Sequence, residues 1–338
     1  MTQLEGAAGG EHFGAYRVLG VLGGTGQVLR AYDAEHERDV ALKVLPARRA
    51  QDAGYRERFL REARIAMRLT EPHVIPVHRY GEVDGRLFLD MRLVEGEDLA
   101  SLLARTGPLD PARAVDLVGQ VARALDAAHA VGLVHRDVTP SSVLLAARGD
   151  GGDLAESVAG EDVAYLLGLG IPRAAAPPTG YLAPECVTGP APDGRADVFS
   201  LACVLFELLT GRSPFPGTDA AGALLTEPPP APSTLRATVP AQLDGVVLGG
   251  LSPDRGQRWT SPGGMAAAAR AALAVHGIEV ARPAGYPGAV GTALPGGRAR
   301  GWTAGRRSAA VAVVPVLAAI LLGVRAWRGA RRRRRSGR

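Results

Sequence analysis

The sequence predicts an α+β fold in two lobes: a strand-rich N-terminal lobe with one helix, then a mainly helical lobe. A flexible linker and one apolar C-terminal helix are predicted to follow. Two patterns carry this reading. Residues 12–94 hold short β-branched and aromatic runs separated by turn residues, and residues 95–275 hold apolar positions at helical spacing. At 338 residues the chain exceeds the usual size of a single core, which agrees with two lobes.

The elements follow in order. Residues 1–11 carry no structural pattern. Runs at 16–22, 28–32 and 40–45 read as strands, with a glycine cluster between the first two, and 87–94 reads as another. Between them, Phe59, Ala63, Ala66 and Met67 recur at helical spacing over 55–69, with Arg and Glu on the opposite face. The first lobe is therefore 12–94 and the second 95–275. In the second, Asp110-Pro111 supplies an N-cap and a first-turn proline, and Val118, Val121, Ala122, Leu125 and Ala128 mark a buried stripe. Residues 196–210 are apolar almost all round, which predicts a central buried helix ended by Gly211. Strand-like runs at 142–145 and 163–167 flank a Gly/Asp-rich insert at 146–162, expected as a surface loop. Residues 276–307 are rich in Gly and Pro, as a flexible linker would be.

Charge and cysteine content exclude several classes. The formal charge is +5, but residues 325–338 hold eight Arg and no acid. Removing those eight charges leaves −3 for residues 1–324, so no specific nucleic-acid-binding domain is expected. The two cysteines, Cys186 and Cys203, make neither a disulfide framework nor a metal cluster, and Cys203 reads as a small core residue. No basic region followed by an apolar run opens the chain, so no signal peptide is expected.

The chemistry-bearing residues begin with Gly23-Gly24-Thr25-Gly26, Val28 and Val40-Ala41-Leu42-Lys43. Glycines let backbone amides approach phosphate oxygens, and a lysine on the next strand adds a fixed positive charge. Further on come Leu133-Val134-His135-Arg136-Asp137-Val138-Thr139-Pro140-Ser141-Ser142-Val143-Leu144-Leu145 and Tyr181-Leu182-Ala183-Pro184-Glu185. Asp197-Val198-Phe199-Ser200-Leu201, Glu207-Leu208-Leu209-Thr210-Gly211 and the pair Asp254 and Arg258 complete the series. In this order, over residues 13 to about 275, the parts resemble the bacterial Ser/Thr protein kinases, specifically the actinobacterial receptor type.

That resemblance implies a bilobal protein-kinase fold, ATP as the nucleotide, and a role for each matching position. Lys43 matches the lysine on the α- and β-phosphates, and Glu62 its helix partner. Asp137 matches the residue that accepts the substrate hydroxyl proton. Gly23, Gly24, Gly26, Val28, Ala41, Met91, Leu93 and Leu144 match the nucleotide-binding positions, Met91 as gatekeeper and Leu93 in the hinge. Glu185 and Arg258 match a structural ion pair. His135 reads as a packed residue bracing the loop rather than as a proton shuttle.

Three positions depart from the family's pattern. Thr139 stands where the family has lysine, Ser142 where it has the second-metal asparagine, and Gly168, in Gly168-Leu169-Gly170, where it has the magnesium-binding aspartate. The glycine loop is about two residues shorter than the family's, and the activation segment is short, with Thr179 and Tyr181 as its hydroxyls. Magnesium is held by one or two carboxylates plus phosphate oxygens. Losing terms worth ~2.7–4 kcal/mol each would remove several orders of magnitude of activity. Asp162 lies six residues before Gly168, ~20 Å away at strand rise, and is no substitute. Weak or absent magnesium binding and a pseudokinase that acts on signalling partners are therefore expected. The alternative is an active Ser/Thr kinase with unconventional metal use.

Residues 308–324 form seventeen uncharged positions bracketed by arginines, long enough to span a bilayer at the lower limit, with Pro315 weakening the helix. The arginines of 325–338 are suited to an anionic membrane surface. A cytoplasmic kinase-like domain held at the cell membrane is expected, with no extracellular sensor domain; the segment either crosses, enters and returns, or lies at the interface, since both flanks favour the cytoplasmic side.

Overall fold

β-Branched and aromatic residues at the N-terminus pair into one antiparallel sheet. Its strands are β1 (His12–Phe13), β2 (Tyr16–Gly23), β3 (Val28–Asp33), β4 (Arg38–Val44), β5 (Val77–Val83) and β6 (Arg86–Arg92). They lie in the order β1-β2-β3-β4-β6-β5. Leu29, Ala31 and Asp33 alternate inward on β3, as a half-buried strand requires. The computed structural model describes residues 12–23, 28–146, 162–169, 171, 180–188, 191–215, 229–275 and 277. All lie within one unit, Met1–Val280; a second unit is Ala281–Arg338. The expected linker, the apolar run 308–324, the arginine tail, Gly24, Gly26, Gly170, Thr179 and most of the 146–162 insert fall outside the described residues. No helix among the described residues is long and apolar enough to cross a membrane.

The first lobe holds two helices where the sequence predicts one. A four-residue turn, α1 (Ala47–Ala50), starts after Pro46, and Arg49 lies over the Tyr55 ring at 5.1 Å. The main helix, α2 (Ala53–Ala66), begins where Asp52 accepts a hydrogen bond from the Tyr55 amide. Its inner face buries Tyr55, Phe59, Ala63 and Ala66. It stops short of the expected 69, with Met67 exposed at its end. The sequence also leaves β5 unassigned. Its seven residues show no in–out alternation, yet the Asp84-Gly85 turn, with both φ positive at 49° and 68°, closes it onto β6.

A small second sheet joins the lobes: β7 (Gly96–Asp98), β8 (Val143–Ala146) and β9 (Ala164–Leu166), in that order. Gly96 is demanded by packing, since a Cβ there would lie 1.8 Å from the Leu145 carbonyl oxygen. Ser142, expected within the strand, instead ends the 3-10 turn Pro140–Ser142.

The helical lobe comprises α3 (Leu99–Thr106), α4 (Pro111–Ala130), α5 (Glu185–Thr188), α6 (Arg195–Thr210), α7 (Pro232–Leu235), α8 (Gln242–Gly250) and α9 (Pro262–Ala274). Asp110 caps α4 by accepting from the Ala112 amide at 2.8 Å, and the whole predicted stripe of α4 is buried. The central helix α6 is buried nearly all round, and Gly211, at φ 73°, ends it in the left-handed conformation. Cys203 sits fully buried on α6, which pushes its thiol pKa up.

Candidate functional site: the cleft between the lobes

The site is built from the buried helix outward. Asp197, near the start of α6, is 0% exposed. Its carboxylate accepts from the backbone amides of His135 at 2.8 Å and Arg136 at 2.7 Å, and from His129 Nε2 at 2.7 Å. These bonds hold the 135–142 loop in a shape it would not adopt alone. Arg136 takes φ +64°, a conformation a long side chain keeps only when its surroundings impose it. His135 is buried, donates from Nε2 to the Leu167 carbonyl at 2.7 Å, and accepts the Asp137 amide on Nδ1 at 3.2 Å. It braces the loop, as the sequence predicts. Behind it, Arg258 grips Glu185 with both terminal nitrogens at 2.7 and 2.9 Å, the two side chains 0% and 8% exposed.

Above this loop lies an apolar slot. Ala41 and Met91 face each other across β4 and β6, and Val28, Leu93 and Leu144 pack against the same cluster. The structure thus brings together five of the positions assigned to the nucleotide. Leu167 joins them and was missed in the sequence; its one signal is an apolar side chain immediately before Gly168. Gly23 closes the β2–β3 ladder opposite Val28, leaving the rest of the glycine turn outside the described residues.

Lys43 pairs in register with Val28 on one side and Leu89 on the other. Its ammonium reaches the metal side of the cleft: a Cβ built on Gly168 would lie 3.8 Å from Lys43 Nζ. Glu62 lies on α2, half-buried. Burial raises its pKa, and the charges that pull it back are Arg136 first, then Arg61 and Arg58.

The three departing positions are all described. Gly168 sits at φ +77°, in the left-handed region. Ser142 uses its hydroxyl internally: Oγ accepts the Thr139 amide at 2.9 Å and donates to the Thr139 carbonyl at 2.8 Å. Thr139 is 8% exposed, with Oγ1 3.0 Å from Ser141 Oγ. Magnesium fits this donor set poorly, because one position has no side chain and the other spends its hydroxyl on the backbone. Asp162 does not make up the loss, since it is bonded to Arg113 Nε at 2.7 Å on the outer surface of α4. Tyr181 donates to Glu207, burial raising the pKa of both.

β9, two residues before Gly168, is pinned on its free edge. The Leu166 amide donates to the His73 carbonyl at 2.8 Å, and His73 Nδ1 donates to the Ala164 carbonyl at 2.9 Å. Gln120, on α4, accepts the Ala164 amide and donates to the Asp162 carbonyl.

A strand lobe bearing a lysine, an apolar slot beneath it, and an Arg-Asp loop hung from a buried helix define the protein-kinase architecture. Comparison with known proteins agrees. Residues 14–228 match the family model described as "Protein kinase domain". The kinase PknD of Mycobacterium tuberculosis is 43% identical over 281 residues, which cover 78% of this chain and 40% of PknD. PknH of Mycobacterium bovis is 43% identical over 293 residues, 81% of this chain and 46% of PknH. The chain therefore spans less than half the length of these curated relatives. Among solved structures, the kinase domain of Mycobacterium tuberculosis PknI superposes with a TM-score of 0.66 at 33% identity, covering 79% of this chain and 100% of that domain. The chain belongs to the protein kinase domain family, among the bacterial serine/threonine kinases.

Proposed function

We propose that this chain is a pseudokinase: it holds a nucleotide in the apolar slot against Lys43 and acts on signalling partners without efficient phosphoryl transfer. One observation carries the reading. Neither metal-side position offers a free ligand, since Gly168 has no side chain and the Ser142 hydroxyl is bonded to both backbone groups of Thr139. Phosphoryl transfer depends almost wholly on positioning and charge neutralisation, so this loss falls on the main source of rate. Asp137 keeps the position of a proton acceptor, but with no metal-bound phosphate held in line beside it.

The test restores the two side chains. Aspartate is among the residues that tolerate positive φ, and a Cβ at Gly168 would meet Lys43 Nζ at 3.8 Å, an ordinary contact, so Gly168→Asp should fold. Phosphate transfer to a generic acceptor protein should rise at least about 100-fold in a Gly168→Asp/Ser142→Asn variant, the scale of one restored charge-stabilising group. ATP binding to the unmodified chain should be indifferent to Mg²⁺. If the unmodified chain already matches the restored variant's rate, the alternative stands: an active Ser/Thr kinase with unconventional metal use.

The domain is proposed to work in the cytoplasm at the membrane, supported by the uncharged run 308–324 and the eight arginines after it. Removing residues 308–338 should move the protein from the membrane to the soluble fraction; an unchanged distribution refutes this placement.

A further inference from the structure

The helix that presents Glu62 to the cleft has a second face, turned away from it. Ala53, Arg56, Glu57, Leu60, Arg61 and Arg64 line a recess along α2. They recur at three- and four-residue steps, so they form a single stripe down the helix. Leu60 is its partly buried apolar centre, and Met67, 42% exposed, extends the apolar line past the helix end. The rim is basic. Arg56 is held by Glu82 at 2.6 Å, and Arg64 Nε donates to the Tyr80 hydroxyl at 3.3 Å. Among the described residues, neither Arg61 nor Arg64 forms an ion pair, and with Glu57 the one acid among the six lining residues the edge keeps a positive balance. It does so on a chain whose residues 1–324 are net acidic.

We infer that the outer face of α2 docks an acidic segment of another protein, seating a bulky apolar side chain on Leu60 and carboxylates on Arg61 and Arg64. Charge selects this occupant. A second copy presenting the same face would be repelled, and so would the chain's own arginine tail. A recess of side-chain dimensions with guanidiniums at its edge suits a peptide anchor better than a flat lipid surface. Tyr80 and Glu82 hold two of the arginines in place beforehand, which lowers the ordering cost of binding. Because Glu62 lies on the half-buried inner side of α2, a partner gripping the outer side would bear on the position of Glu62. The inference stands whether or not the cleft transfers phosphate.

The test uses the full chain with the arginines of residues 331–335 replaced by serine, so that the tail does not compete for the probe. The probe is a labelled peptide with a central phenylalanine flanked by glutamates. Saturable binding is expected, weakened by salt, and about tenfold weaker for the phenylalanine-to-alanine peptide and for an Arg61→Glu/Arg64→Glu protein of unchanged thermal stability. A Leu60→Ser protein should lose the preference for the phenylalanine. Equal binding by the charge-reversed protein, or absence of saturable binding, overturns the inference. So does an α2-dependent interaction with phosphatidylglycerol-containing vesicles that the peptide does not share, which would make this face a lipid contact.

Discussion

The loop at 135–142 has a back and a front, and they have fared differently. At the back, every polar group of the bracing is matched: Asp197 takes three donors, His135 is bonded through both ring nitrogens, and Arg258 meets Glu185 with two hydrogen bonds. At the front, Gly168 offers no side chain and Ser142 turns its hydroxyl back on the chain. The difference follows from burial. An unpaired group behind the loop would be stranded away from water and would destabilise the fold, whereas a missing ligand at the cleft costs function but little stability. The family's architecture is thus held by contacts separable from its chemistry.

The comparison breaks first at the back. Arg258→Ala leaves Glu185 buried without its partner, and also removes the donors to the carbonyls of Ser252, Arg195 and Pro253. Breaking a buried pair by deleting one member costs about 3–5 kcal/mol. Urea titration followed by circular dichroism should show a loss of that size. A loss below about 1 kcal/mol would mean that the pair behaves like an exposed one, and that the back is no more constrained than the front.

What the sequence reveals divides along the same line. The stripe of α4, the all-round apolar α6 with its Gly211 stop, and the Glu185–Arg258 match were readable because long buried helices and ordered motifs leave strong patterns. β5 and β7 were not, one because it lacks alternation and the other because three residues carry no period. Five apolar positions of the cleft were named through the resemblance to kinases, and Leu167 beside them was not. The internal bonding of Ser142 was not legible, since a serine's partner depends on loop geometry that spacing does not encode. Nor was the pinning of β9, which joins His73 to residues about ninety positions away in the chain.

That pinning supplies a smaller test, on the boundary between the two regions, because β9 leads directly to Gly168. Burial pushes the His73 pKa down to about 4, and Arg123 adds to the effect, while the Ala164 carbonyl and Asp116 oppose it. Geometry fixes the neutral form: Nδ1 donates to the Ala164 carbonyl, and Nε2 accepts from Arg123 at 2.6 Å. The folded pKa lies below the unfolded value near 6.5. His73 therefore contributes its full stabilisation above about pH 6.5, and that contribution is lost as pH falls through about 4. At about 1.4 kcal/mol per unit the loss is on the order of 2–3 kcal/mol. Glu62, Glu71 and Glu207, whose pKa values burial raises, act in the opposite sense as they protonate. The measurement is accordingly a difference between two proteins. Denaturant stability of the unmodified chain minus that of His73→Gln, followed from pH 7 to pH 4, should fall by that amount, because glutamine keeps a donor and an acceptor but does not titrate. A flat difference would show that the His73 imidazole adds nothing to β9, leaving Gln120, the His73 carbonyl and the β8 ladder to hold it.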